Sequence, residues 1–133
     1  MTLRRSTVLF GVCAALLVSV AWAKLDLSDF DEDIMDKMDD AMKDLEVVIP
    51  ARNAASAKSD AGVIRDGLTK TREFFTAQGV DDGVQRAHEA QALTEKIVEA
   101  LERQDFDAAV AAAAETKKSC HSCHEMYKPK KDS

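Results

Sequence analysis

Four stretches of this 133-residue chain carry apolar residues at the spacing of an α-helix. Residues three or four positions apart lie on one face of a helix, so each stretch predicts an amphipathic helix. The first stretch begins near Ser28, which can cap a helix with Asp31 three positions later, and it ends at Pro50. Its inward face is spaced by three, four and three: Met35, Met38, Met42 and Leu45. No stretch has a convincing strand pattern, so the sequence predicts an all-α fold.

Three further helices follow in close succession. The second runs from about Ala61 to Ala77, which leaves residues 50–60 as a loop, and the third opens at Asp81. Asp105 caps the fourth. Short links between these helices favour an up-down-up-down four-helix bundle, in which the end of the fourth helix lies beside the start of the first. The predicted inward residues are Ile64, Leu68, Thr71 and Phe75; Ala90, Leu93, Ile97 and Leu101; and Phe106, Ala109 or Val110, Ala113, Thr116, Cys120, Cys123 and Tyr127.

The N-terminus has the pattern of a secretory signal peptide. Arg4 and Arg5 precede a short apolar run, and Ala21-Trp22-Ala23 is a small-x-small cleavage site. The apolar run is too short for a confident membrane span, so an uncleaved anchor is the weaker alternative. We therefore predict a leader over 1–23 and one exported domain over 24–133, without a stable membrane anchor.

The mature chain is strongly acidic. Without Arg4 and Arg5 it has 16 basic and 24 acidic side chains, a formal charge of −8, and ten of the acids lie between Asp26 and Glu46. Such a strip does not favour nucleic acid or an anionic membrane surface. It can steer a basic partner protein, or it can simply be the solvated face of a helix.

The segment Cys120-His121-Ser122-Cys123-His124 is the C-x-x-C-H signature of c-type haem attachment. Thiols three positions apart can reach the two vinyl groups of one haem and form thioethers, and His124 then lies under the iron as the proximal ligand. In bacteria this haem is attached outside the cytoplasm, so the export signal agrees with a periplasmic protein. Cys13 would leave with the leader, so the mature chain has no disulfide framework.

Two other uses of the paired cysteines fit the sequence less well. A thioredoxin-type oxidoreductase places its C-x-x-C after a strand, at the start of a helix, whereas this motif lies late in a helical pattern. A structural zinc site would need a second pair of ligands at normal spacing, which the chain lacks. The motif thus favours a haem protein that carries electrons and is not an enzyme.

Met35 is the predicted sixth ligand of the iron. At 1.5 Å per residue, His124 lies about 6 Å from the end of the fourth helix and Met35 about 10 Å from the start of the first. Met38 and Met42 lie about 15 and 21 Å from that start, so they are increasingly too deep in the bundle to reach an iron held by His124. Methionine is also a common core filler, so a second interpretation has none of the three on the iron.

Other candidate side chains have less support. His88 lies nine positions from Ile97, about 180° around the helix at 100° per residue, so it is predicted to face solvent. His121 lies between the two cysteines and is predicted to be on the surface. Three aromatic residues fit either haem packing or ordinary core packing, namely Phe74, Phe75 and Tyr127.

An exported all-helical chain with C-x-x-C-H in its last helix resembles the cytochrome c′ family. Residues 120–128 are similar to that family's C-x-x-C-H-x-x-Y-[RK] ending, and residues 105–109 resemble the opening of its last helix. The resemblance implies one covalent haem c on Cys120 and Cys123, with His124 on the iron. It also implies that Lys128 is the basic residue beside the proximal histidine.

The family has two branches, which differ at the sixth iron position. One branch has a methionine there, is low-spin and suits electron transfer; the other leaves the position empty and binds small gases such as NO. The first inward residue of the family's first helix faces the iron, and here that residue is Met35. The resemblance therefore implies an electron carrier, with gas binding as the alternative. The gas-binding branch often has an arginine four positions earlier, where this chain has Asp31.

The resemblance also bears on partners. An electron carrier needs a redox partner protein, and the acidic strip would suit a basic one. Homodimers are common in the family, often through the first two helices, although the acidic first helix of this chain would oppose such a contact.

Overall fold

The computed structural model describes residues 25–128. The predicted leader with its cleavage site, and Pro129 with the basic tail, lie outside the described residues. Residues 25–128 form four α-helices and no strand: α1 (Glu32–Val48), α2 (Ala54–Ala77), α3 (Asp81–Glu102) and α4 (Phe106–Tyr127). The predicted all-α class is confirmed for this part of the chain.

The helices pack as a four-membered ring. Each helix packs against the next, α4 returns to α1, and the diagonally opposite helices of the described chain are not neighbours. The end of α4 lies beside the start of α3, where the Tyr127 hydroxyl donates a hydrogen bond to Asp82 over 2.7 Å. The Phe75 ring, near the end of α2, lies 4.9 Å from the Tyr127 ring. This is the antiparallel arrangement predicted for the bundle.

The start of α1 differs from the prediction. Asp31, not Ser28, is the N-cap, and its carboxylate accepts a hydrogen bond from the Asp33 amide over 3.1 Å. Aspartate caps a helix as well as serine does, and the acidic residues that follow it favour the positive end of the helix dipole. Because α1 begins only at Glu32, Met35 lies three residues into the helix.

The predicted loop over 50–60 is also wrong in its second half. α2 begins at Ala54, because the Asn53 side chain accepts from the Ser56 amide over 3.1 Å and so caps the helix. Alanine is the strongest helix former, so the alanines after Asn53 extend the helix N-terminally despite Gly62. The remaining connection turns sharply at Arg52, whose φ is 59°.

The inward residues of the four helices meet in one core. Leu45, Ile64 and Ile97 are fully buried, while Leu93 is only half-buried. Of the alternatives in the fourth helix, Ala109 is buried and Val110 is exposed. The buried threonines donate their hydroxyls to carbonyl groups one turn earlier, so no hydroxyl of Thr71, Thr94 or Thr116 is buried without a partner.

Two glycines allow close helix contacts. A Cβ atom at Gly67 of α2 would overlap the sulfur of Met38, and one at Gly83 of α3 would overlap the Phe75 ring. The Met38 side chain thus lies directly against the backbone of α2, and the phenyl ring lies against α3. Within 25–128, no helix is both long enough and apolar enough to cross a membrane.

Candidate functional site

A cleft of about 550 Å³ lies between α1 and α4, which pack least closely of the four neighbouring helix pairs. Its volume falls within the range of small-molecule and cofactor sites. From α1 it is lined by Met35, Met38, Asp39, Met42, Lys43 and Glu46, and from α4 by Ala114, Lys117, Lys118, Cys120, His121 and His124. The cleft therefore brings the methionine stripe and the C-x-x-C-H motif together.

The two cysteines lie in the penultimate turns of α4 as free, half-buried thiols. Cys120 lines the cleft and Cys123 does not. Residues three apart on a helix are neighbours on its surface but differ in direction. Cys123 accordingly lies on the side of α4 where the positive charge of Arg86 in α3 acts on it.

Burial keeps both thiols protonated at neutral pH. It raises the pKa of Cys120 to about 11, with a further contribution from Cys123. Burial also raises the pKa of Cys123, against the opposing influence of Arg86. Reactive cysteines of oxidoreductases have lowered pKa values, so this environment does not resemble that of a catalytic thiol pair.

His124 is half-buried at the edge of the same cleft. Burial lowers the pKa of its imidazole, and the nearby Lys128 lowers it further, while Asp39 acts in the opposite direction. The neutral ring, which has a free nitrogen lone pair, is therefore favoured. Neutral imidazole is the form that ligates metals.

The three methionines differ in how deeply they are buried. Met38 and Met42 are each 7 % exposed, and the Met38 sulfur packs against Gly67 of α2. Met35 is half-buried and is the closest of the three to the start of α1. Met35 is three residues from the start of α1 and His124 is three from the end of α4, so each lies about 4.5 Å from its helix end. Both residues therefore lie in the end turns of their helices and line the same cleft.

Charged side chains surround the mouth of the cleft. Lys43 pairs with Asp39 over 2.6 Å within α1, and Lys117 of α4 pairs with Glu46 of α1 across the cleft. The Lys43 hydrogen bond lowers the pKa of Asp39. All four side chains are largely exposed, so each pair stabilises the fold only slightly.

The other sequence candidates lie away from the cleft or at its rim. His88 is exposed, as predicted from its phase. His121 is also exposed as predicted, and it lines the rim, where its Nε2 lies 3.3 Å from Glu125. The three aromatic residues do not line the cleft but pack on one another, so ordinary core packing describes Phe74, Phe75 and Tyr127.

A set of polar residues behind the motif was not predicted. Asp82 and Arg86 of α3 form an i,i+4 pair over 2.8 Å, and both reach toward the last turns of α4. Their spacing in the sequence indicates the pair. Their contacts with Ser122 and Tyr127 depend on how α3 and α4 are aligned, which the sequence pattern does not specify.

The described residues do not form a cluster of side chains that could bind zinc. Between Leu25 and Lys128, no three side chains of His, Cys, Asp or Glu come together in a way that could hold a metal ion. The predicted donors to a haem iron are one imidazole and one thioether, and these face a shared cleft.

Comparison of the chain with protein-family models, with curated proteins and with solved structures finds no match. The resemblance to cytochrome c′ stays a prediction from the motif and the helix pattern.

Proposed function

We propose that the protein is an exported, periplasmic electron carrier with one covalent haem c. The observation that carries the proposal is that Cys120, His124 and Met35 line one cleft between the first and last helices. A cysteine for covalent attachment and two candidate iron ligands thus lie on facing walls.

The residues present fit this group. The two thiols are free and three residues apart on one helix, which is the spacing that two haem vinyl groups require. The inner lining includes three methionine side chains, which suit a large, flat and mostly apolar cofactor. The helices that form the walls are the pair that pack least closely, so the bundle can accommodate a group between them.

Each residue then has a stated role. Cys120 and Cys123 would hold the haem by thioether bonds, His124 would ligate the iron from α4, and Met35 from α1. When bound, the haem supplies a one-electron change in the oxidation state of its iron. With His124 and Met35 both bound to the iron, the site would favour electron transfer over gas binding, because no position would be left for a gas. The acidic face of α1 would attract a basic redox partner.

The test is to express the full chain together with a haem-attachment system and to extract the purified protein with acidified solvent. Haem should stay on the polypeptide, and the intact mass should increase by one haem. The matched control is Cys120→Ser with Cys123→Ser, which should carry none. Extraction of all haem from the unsubstituted protein, or two unmodified cysteines, would refute the proposal.

The oxidised and reduced absorption spectra then separate electron transfer from gas binding. A low-spin spectrum in both states supports the electron carrier. A high-spin spectrum that changes on addition of NO would replace it with the gas-binding alternative.

A further inference from the structure

A hydrogen-bonded network connects the back of the motif to α3. The Tyr127 hydroxyl donates to Asp82 Oδ2 over 2.7 Å, and Arg86 Nε donates to the same oxygen over 2.8 Å. Arg86 Nη1 also donates to Ser122 Oγ over 3.3 Å. Ser122 lies between the two cysteines of the motif. Arg86 therefore contacts both Ser122, inside the C-x-x-C-H motif, and Asp82, which accepts the hydrogen bond from Tyr127.

The two contacts on α4 lie on either side of His124. Ser122 precedes it by two residues and Tyr127 follows it by three, and both are held from α3. The last turn of a helix lacks half of its internal hydrogen bonds and frays readily. Since α1 packs only loosely against α4, these turns are held mainly from α3, and the network adds polar contacts to that packing.

Arg86 is suited to this double contact. Its planar guanidinium presents several donors in a fixed arrangement, so it can bind a carboxylate and a hydroxyl together, which a lysine cannot do with the same geometry. Its side chain is 30 % exposed, whereas Asp82 is 55 % exposed, so the arginine is the more enclosed member of the pair. The Phe75 ring packs on Tyr127 and holds the aromatic side of the network in place.

We propose that Arg86 is a positioning residue for His124: through Ser122 and the Asp82–Tyr127 pair, it holds the last turns of α4 so that the imidazole faces the cleft. The inference rests on the proposed haem function, because it assigns His124 to the iron. It does not concern haem attachment itself, which needs only the two thiols.

The experiment compares Arg86→Gln and Ser122→Ala with the control Arg72→Gln. Arg72 is also half-buried and also joins neighbouring helices, donating to Gln91 over 3.0 Å between α2 and α3, but it lies away from the motif. All three variants are expressed with the haem-attachment system. The readouts are intact mass, hydrogen exchange of the amides over 119–127, and the electron paramagnetic resonance spectrum of the ferric protein.

We expect full haem attachment in every variant. In Arg86→Gln, exchange over 119–127 should be several-fold faster, because the guanidinium bonds to Asp82 and Ser122 are both lost. Its ferric spectrum should contain additional or broadened components, because the imidazole orientation is no longer unique. Ser122→Ala should show a smaller change of the same kind, and Arg72→Gln should match the unsubstituted protein in both readouts.

Three results would overturn the inference. The first is an unchanged ferric spectrum in Arg86→Gln together with faster exchange. The network would then stabilise the end of α4 without orienting the His124 imidazole. The second is no change in either readout, and the third is an equal change in Arg72→Gln. If the unsubstituted protein carries no haem, the proposed function is refuted. Amide exchange over 119–127 would then still show whether Arg86 stabilises the end of α4.

Discussion

Met35 and His124 line one cleft from opposite walls, each three residues from the end of its helix. α1 begins and α4 ends at the same end of the bundle, so both side chains lie in end turns that line the cleft. The deeper methionines of the same stripe are buried, and one of them is packed against Gly67. In the proposed haem protein, Met35 is the iron ligand and the two deeper methionines are core residues.

Replacing Met35 by leucine should therefore open the sixth iron position. The haem spectrum should change from low-spin to high-spin, and CO should bind to the reduced protein more readily, because leucine has no donor atom. The matched control is Met42→Leu, a nearly volume-conserving change that should cost less than about 1.5 kcal/mol and leave the spectrum unchanged. A high-spin unsubstituted protein whose spectrum is the same in Met35→Leu would contradict the ligand assignment.

Loss of the haem should loosen α1 more than the other helices. In the Cys120→Ser, Cys123→Ser variant we expect a lower melting temperature and a partly molten chain, since the bundle loses a group that fills the space between α1 and α4. Hydrogen exchange should be fastest over Glu32–Val48, because that helix packs closely only against α2. Uniform protection of all four helices, with an unchanged melting temperature, would show that the fold does not depend on haem.

Two glycines of α2 should respond in opposite ways to alanine. Gly67→Ala places a methyl group where the Met38 sulfur lies, and such overpacking typically costs about 1–3 kcal/mol of unfolding free energy. Gly62→Ala meets nothing within 4 Å, so it should stabilise the helix by about 0.5–1 kcal/mol. Denaturant unfolding of both variants measures the difference directly. Equal effects would mean that α1 and α2 are not in close contact at Met38.

The network behind the motif predicts how stability depends on pH. The hydrogen bond from Tyr127 and the ion pair with Arg86 lower the pKa of Asp82 below 3.8. Its contribution is therefore present above about pH 4 and is lost as the pH falls through the lowered value. Burial and the bond to Asp82 raise the pKa of Tyr127 from 10.0 to about 12, so its contribution is complete below pH 10 and is lost between pH 10 and 12.

Unfolding free energies measured across the pH range test both limits. Asp82→Asn should weaken the acid dependence below pH 4, and Tyr127→Phe should remove a component between pH 10 and 12. Lysine side chains also titrate in the alkaline range, so the difference between Tyr127→Phe and the unsubstituted protein is the quantity to compare. An identical alkaline profile in the two proteins would show that the hydroxyl contributes nothing.

The number and order of the helices, many of the inward positions and the antiparallel arrangement could be predicted, because apolar spacing indicates which face is buried. Leu93 is an exception, since it is only half-buried. Helix starts were less predictable. Ser28, Asp31 and Asn53 are all capable of capping, and only the path of the chain decides which one does. The Arg86 contacts were out of reach because they depend on the alignment of α3 against α4. Met35 and His124 line one cleft, but the role of Met35 as an iron ligand stays a prediction.

The walls of the cleft come from the two ends of the folded chain. Met35 and His124 are 89 positions apart, whereas the hairpins α1–α2, α2–α3 and α3–α4 each join neighbouring segments. Contacts between distant segments carry the larger entropic cost of loop closure and tend to form late. The interface of α1 with α4, which forms the cleft, should thus be the last of the four helix interfaces to form during folding.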